Sequence, residues 1–198
     1  MRHTFLATIC AVGVLSLVLT HANVAADPRA GVLQGRIKVG ARPSADVVVW
    51  LDAPGAPRRA ETRRVLEQRN VEFLPRVLAA QVGSIVELPN NDRIFHNVFS
   101  YNDGKPFDLG LYPTGVTKRI TLDRPAVNRI YCNIHPHMAA YIVAVDTPYF
   151  ATSDKRGAFT IEGVPDGDYT YHAWRSGGET RTGTVSAGDG TPLEIRWP

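Results

Sequence analysis

The sequence predicts an all-β protein of sandwich architecture, and three features carry that expectation. Short runs with β-branched or aromatic residues at alternating positions recur along the chain, turn-forming clusters separate them, and only one stretch has an unbroken, helix-compatible character. In chain order the expected strands are Gly35–Val39, Asp46–Leu51, Val77–Gln81, Ser84–Leu88, Val116–Leu122, Val127–Cys132, Tyr141–Val145, Ala158–Ile161, Tyr169–Trp174 and Leu193–Trp197. Between them stand Asn90-Asn91-Asp92, Asn102-Asp103-Gly104, Asp166-Gly167 and Gly188-Asp189-Gly190, whose side chains or positive φ angles favour tight turns. The exception is Pro57 to Asn70, where Arg58 to Glu67 lacks breakers and alternates in charge. We read it as a linker or edge segment, with its arginines on a solvated face.

The chain has 198 residues, 44% hydrophobic and 21% charged, with a mean hydropathy of -0.13. That is the profile of a soluble globular protein. The formal net charge is only +3 and no long basic tract occurs, so nucleic acid is not indicated. Met1-Arg2-His3 is a short positive start, Phe5 to Thr20 is nearly all apolar, and Val24-Ala25-Ala26 places small residues before a cut at Asp27. Residues 1–26 therefore read as a cleaved signal peptide. His21 and Asn23 end the apolar run short of the roughly 20 residues that a membrane span needs. Cys10 is not a lipoprotein cysteine, because Ile9 precedes it and the apolar run continues beyond it. The mature chain is expected in an exported, oxidising compartment, periplasmic or extracellular, with no membrane span.

After cleavage Cys132 is the sole cysteine and Met138 the sole methionine. A lone thiol in an oxidising space survives if it is buried, catalytic or held by a metal. Two of the four mature histidines (His96, His135, His137, His172) lie between that cysteine and that methionine, in Cys132-Asn133-Ile134-His135-Pro136-His137-Met138. A one-electron copper site needs ligands that suit both oxidation states, and two imidazoles, a thiolate and a distant thioether meet that need. Cys132, His135 and Met138 supply three of these, and the Cys-x2-His-x2-Met spacing fits a tight loop between two strands. His96, after the Asn90-Asn91-Asp92 turn, supplies the second imidazole from another loop.

The segment from about Arg63 to Val145 resembles a cupredoxin of the amicyanin and plastocyanin type. The likeness lies in Asn70 to Pro75, in Val82 to Asp92, in His96-Asn97-Val98 and in Tyr131 to Met138. The resemblance implies one type 1 (blue) copper on His96, Cys132, His135 and Met138, with Asn97 hydrogen-bonding across the ligand loops. It implies a one-electron carrier rather than an enzyme, with a dehydrogenase or cytochrome as redox partner and the His135 ring edge as electron port. His137 departs from the pattern, standing where such proteins carry an apolar residue; it either competes as a ligand or lines the exit path. His172 reads as a surface or packing histidine.

Gly35 to Val39, Asp46 to Leu51 and Thr152 to Tyr169 resemble a carboxypeptidase regulatory-like (transthyretin-like) β-sandwich, whose first strands ordinarily lead straight on to the later ones. The expected organisation is a Greek-key cupredoxin β-sandwich (62–145) inserted in or fused to a second immunoglobulin/transthyretin-like sandwich (27–61 plus 146–198). Asp154, Asp166 and Asp168 read as turn formers rather than calcium ligands. Four other readings of the Cys132 cluster are a copper storage or delivery protein, a zinc hydrolase, a Cys/His nucleophile and a buried free thiol. The zinc reading needs an acid or base near the metal, and the ligand loop offers no Asp or Glu.

Overall fold

The computed structural model describes residues 31–57, 62–101, 105–178 and 180–198. The expected leader, Arg58 to Glu61 of the arginine run and the Asn102-Asp103-Gly104 turn lie outside them. Every regular element among the described residues is a strand. No helix there is long and apolar enough to cross a membrane.

Three strands come first: β1 (Gly31–Val39), β2 (Arg42–Pro43) and β3 (Val48–Leu51). Ten follow: β4 (Arg63–Val65), β5 (Glu67–Arg69), β6 (Glu72–Leu74), β7 (Val77–Gln81), β8 (Ile85–Pro89), β9 (His96–Ser100), β10 (Phe107–Tyr112), β11 (Thr117–Thr121), β12 (Ala126–Tyr131) and β13 (Ala139–Val145). The last five are β14 (Phe150–Thr152), β15 (Ala158–Val164), β16 (Gly167–Trp174), β17 (Thr180–Ala187) and β18 (Leu193–Trp197). The first three and the last five pair with one another, as sheets ordered β15-β1-β18, with β2 beside β1, and β14-β3-β16-β17. The ten between form β10-β9-β12-β13-β7, β11-β8-β4 and the β5–β6 hairpin. Among the described residues no ladder joins the two sets.

Side-chain alternation sorts these strands into three apolar clusters. Ala140, Ile142 and Ala144 of β13 and Leu78 and Ala80 of β7 enter a core with Leu88, Ile130, Cys132 and Met138. The opposite-facing Val143, Val145, Val77 and Ala79 pack instead with Val48 and Trp174 of the outer set. Leu33, Ile37, Leu51, Ile161 and Ile195 fill the outer sandwich. Strands buried on both faces carry near-continuous apolar runs, which is why Tyr141 to Val145 shows little polar alternation.

Eight of the eighteen strands are not among the expected ones, and for three of them the physical reason is plain. β10 carries Asp108 and a register shift beside Gly110, whose φ is 67°; a bulge breaks the alternation that marks a strand. β17 is an edge strand of mostly exposed Thr, Arg and Ser. β14 is too short to show a period. Within Pro57 to Asn70, β4 runs parallel to β8 at the edge of its sheet, so the helix-compatible pattern yields to strand pairing. Asp154 accepts from the N–H groups of Arg156 and Ala158, both at 2.8 Å, as a turn former does. His172 lies between Asp52 (Nε2 to Oδ2, 2.9 Å) and Thr182 (Nδ1 to Oγ1, 3.1 Å), stacked on Trp50 at 5.2 Å.

Candidate metal centre

One sheet brings the first residue of β9, His96, to the loop between β12 and β13, so the second imidazole comes from a strand start and not from the expected loop. β12 and β13 pair in register out to Tyr131 opposite Ala139, so Cys132 to Met138 forms the whole connection between them. β9 lies on the other side of β12, paired at Phe99 opposite Tyr131, which places His96 beside that loop. The N–H of Met138 donates to the His135 carbonyl at 2.9 Å, closing the turn that carries His135 back toward Cys132.

His96 Nδ1 stands 3.8 Å from Cys132 Sγ, His135 Nδ1 stands 3.7 Å from the same sulfur, and the two nitrogens are 3.0 Å apart. These three donor atoms form a compact group that could hold a metal ion. The chemistry of the set suits a borderline-soft ion: two imidazole nitrogens and one cysteine sulfur. His96 and Cys132 are buried, His135 is half-buried, and Met138 is buried in the same apolar core as the cysteine. His137 is exposed, its ring 6.2 Å from that of His135, and it falls outside the group of three.

Asn97 is buried, and its Oδ1 accepts from the N–H of Asn133 at 2.6 Å, while its amide donates to Asp108 at 3.3 Å. One side chain thus ties β9 to both the ligand loop and β10. Below the site, Tyr112 pairs with His96 in the β10–β9 ladder, donates to the Leu88 carbonyl at 3.0 Å and accepts from the Gln68 amide. Burial pushes the Tyr112 phenol well above its ordinary value; the Gln68 hydrogen bond opposes this and the nearby Cys132 adds to it.

From the sequence Asp92 reads only as a turn residue. Its Oδ2 lies 2.8 Å from His96 Nε2, the ring nitrogen that does not face Cys132. Burial pushes the Asp92 carboxyl up, but the N–H of Val71, the His96 ring and the N–H of Asn70 together hold it below the usual range. The four-residue step from Asp92 to His96 was the available signal. Burial, then the rings of His96 and His137, holds His135 below the ordinary histidine value, with Asp92 opposing. Asp92 sits behind the ring rather than beside the donor atoms, so it does not supply the acid or base that zinc hydrolysis would need.

No family model matches this chain, and no curated protein matches it. Solved structures do. A Cu-containing nitrite reductase (NirK) from Thermus scotoductus SA-01 is similar at 25% identity and a TM-score of 0.42, over 49% of this chain and 25% of that one. A purple cupredoxin from Nitrosopumilus maritimus is similar at 22% identity and 0.38, over 43% of this chain and 100% of the other. A reduced single-residue variant of amicyanin is similar at 18% identity and 0.39, over 48% and 86%. The chain thus spans about a quarter of the nitrite reductase, and each likeness covers half of this chain or less.

Proposed function

We propose that this protein is an exported one-electron carrier in which His96, Cys132 and His135 would hold one type 1 copper, with Met138 as a weak thioether donor. The observation that carries the reading is the convergence of two imidazole Nδ1 atoms on one buried thiol sulfur, from the start of β9 and the β12–β13 loop, both fixed by one sheet. Copper bound there supplies a Cu(II)/Cu(I) couple. The residues around it do the rest. Asn97 and the β9–β12–β13 ladders hold the ligands in place, so little must move when the charge changes. The apolar core beneath Cys132 and Met138 keeps water from the sulfur side. Half-buried His135, beside exposed Ile134 and Pro136, forms the electron port to a dehydrogenase or cytochrome partner.

In this reading residues 62–145 are the cupredoxin domain, inserted into a carboxypeptidase regulatory-like sandwich of residues 27–61 and 146–198. The separation of ladders between the two sets of strands supports it. Residues 1–26 direct export. Copper delivery is a second reading, favoured by exposed His137 beside His135; rapid transfer of Cu(I) to a chelator from the loaded protein would support it over electron carriage.

Met138→Leu tests the thioether donor. Loss of a weak donor that favours the oxidised ion is expected to raise the reduction potential by about 59 mV or more, a tenfold change in a one-electron equilibrium. Protein-film voltammetry measures it, and a fall in potential would place Met138 outside the ligand set.

A further inference from the structure

Asn70 and Val71 form the two-residue loop of the β5–β6 hairpin, where Arg69 pairs with Glu72. Both have positive φ, 55° and 60°. This is the geometry of a type I′ turn, whose second loop position ordinarily goes to glycine. Asparagine adopts it readily, but a β-branched residue there is an outlier that its surroundings must enforce. The half-buried Val71 side chain packs on the core that contains Cys132 and Met138, which enforces it from one side.

The backbone shows what the strained turn accomplishes. The N–H of Asn70 donates to Asp92 Oδ1 at 2.6 Å and the N–H of Val71 to Asp92 Oδ2 at 2.9 Å. Successive left-handed residues turn their amides to one side and make a concave seat for an anion. The rest of Asp92 is fixed as well. Its N–H donates to Asn90 Oδ1 at 3.0 Å, and its carbonyl accepts from the Thr114 hydroxyl at 2.5 Å. The one remaining contact of the carboxylate runs to His96 Nε2 at 2.8 Å, beneath a side chain only 12% exposed.

We infer that Asp92, seated on the Asn70 and Val71 amides, is the positioning residue of the metal centre: it holds the His96 proton on Nε2, leaves the Nδ1 lone pair facing Cys132, and places a fixed negative charge behind that ligand. A carboxylate behind a ligating imidazole orients the ring and raises its basicity. The charge favours the more positive oxidation state of the bound ion. The inference rests on the copper reading for its redox part alone; the tautomer is a property of the protein itself.

The test uses the mature full chain and has two readouts. In the wild-type apo-protein, nitrogen-15 NMR of the ring is expected to show His96 protonated on Nε2 and bare on Nδ1, and this needs no variant. In Asp92→Asn, which keeps an acceptor oxygen for one of the two hairpin amides and replaces the charge with a neutral amide, the Nδ1–H tautomer is expected to rise at least about tenfold. The copper-loaded variant is expected to favour the reduced state about tenfold more than wild type, about 59 mV in potential. A wild-type His96 carrying its proton on Nδ1 would overturn the inference, as would a folded Asp92→Asn with both readouts unchanged. A wild-type protein with the expected tautomer that takes up no copper would instead defeat the electron-carrier reading and leave Asp92 as the positioning residue of His96.

Discussion

Cys132→Ser is expected to abolish the intense visible absorption of the copper-loaded protein while leaving it folded. That absorption arises from charge transfer between a thiolate and Cu(II), and Cys132 is the sole sulfur anion that the mature sequence offers. The side chain is 3% exposed, and serine is smaller, so the change removes the donor without overfilling the core. His137→Ala is the matched control. Its ring is exposed and outside the donor group, and the colour is expected to persist. Absorption titration with Cu(II) compares the three proteins side by side. Colour in the serine variant would reject the thiolate, and loss of colour in the alanine variant would make His137 a ligand.

Trp174→Ala is expected to cost about 3–5 kcal/mol of stability and to split one unfolding transition into two. Trp174 ends β16 of the outer set, is 4% exposed, and lies with Val48 against Val77, Ala79, Val143 and Val145 of the inner set. Its ring meets that of Tyr141 edge-on at 5.0 Å. Since no ladder among the described residues bridges the two sets, this cluster is the principal apolar contact through which one sandwich stabilises the other. Scanning calorimetry resolves the outcome. A single transition shifted by less than about 1 kcal/mol would show that the cluster does not couple them.

The donor cluster was legible because its chemistry is concentrated. Cys132 and His135, two of its three members, sit in one short loop, and local spacing suffices to place a tight turn between two strands. His96 was legible one step less directly, through the turn before it. Asp92 was not legible as more than a turn residue, because its meaning depends on a tertiary meeting. The Asn70-Val71 hairpin tip must fold onto the turn at residues 90 to 92 before two amides and an imidazole converge on its carboxylate. Val71 itself reads as an ordinary strand residue; nothing in its type announces a positive φ.

The fold divides in the same way. β1 was visible from its alternation and β3, β7 and β13 from their apolar runs, whereas β10 and β17 were hidden by a bulge and by an exposed edge. The near-continuous apolar run of β13 also says that both faces are buried, yet not that one faces Leu88 and the other Trp174. That distinction arises only from packing between strands far apart in sequence.

The most direct test of the central claim is to add one equivalent of Cu(II) to the purified mature apo-protein and record its visible absorption and electron spin resonance together. An intense blue band with a compressed copper hyperfine splitting is expected. A nearly colourless complex with the wide splitting of ordinary nitrogen and oxygen ligation would contradict the claim.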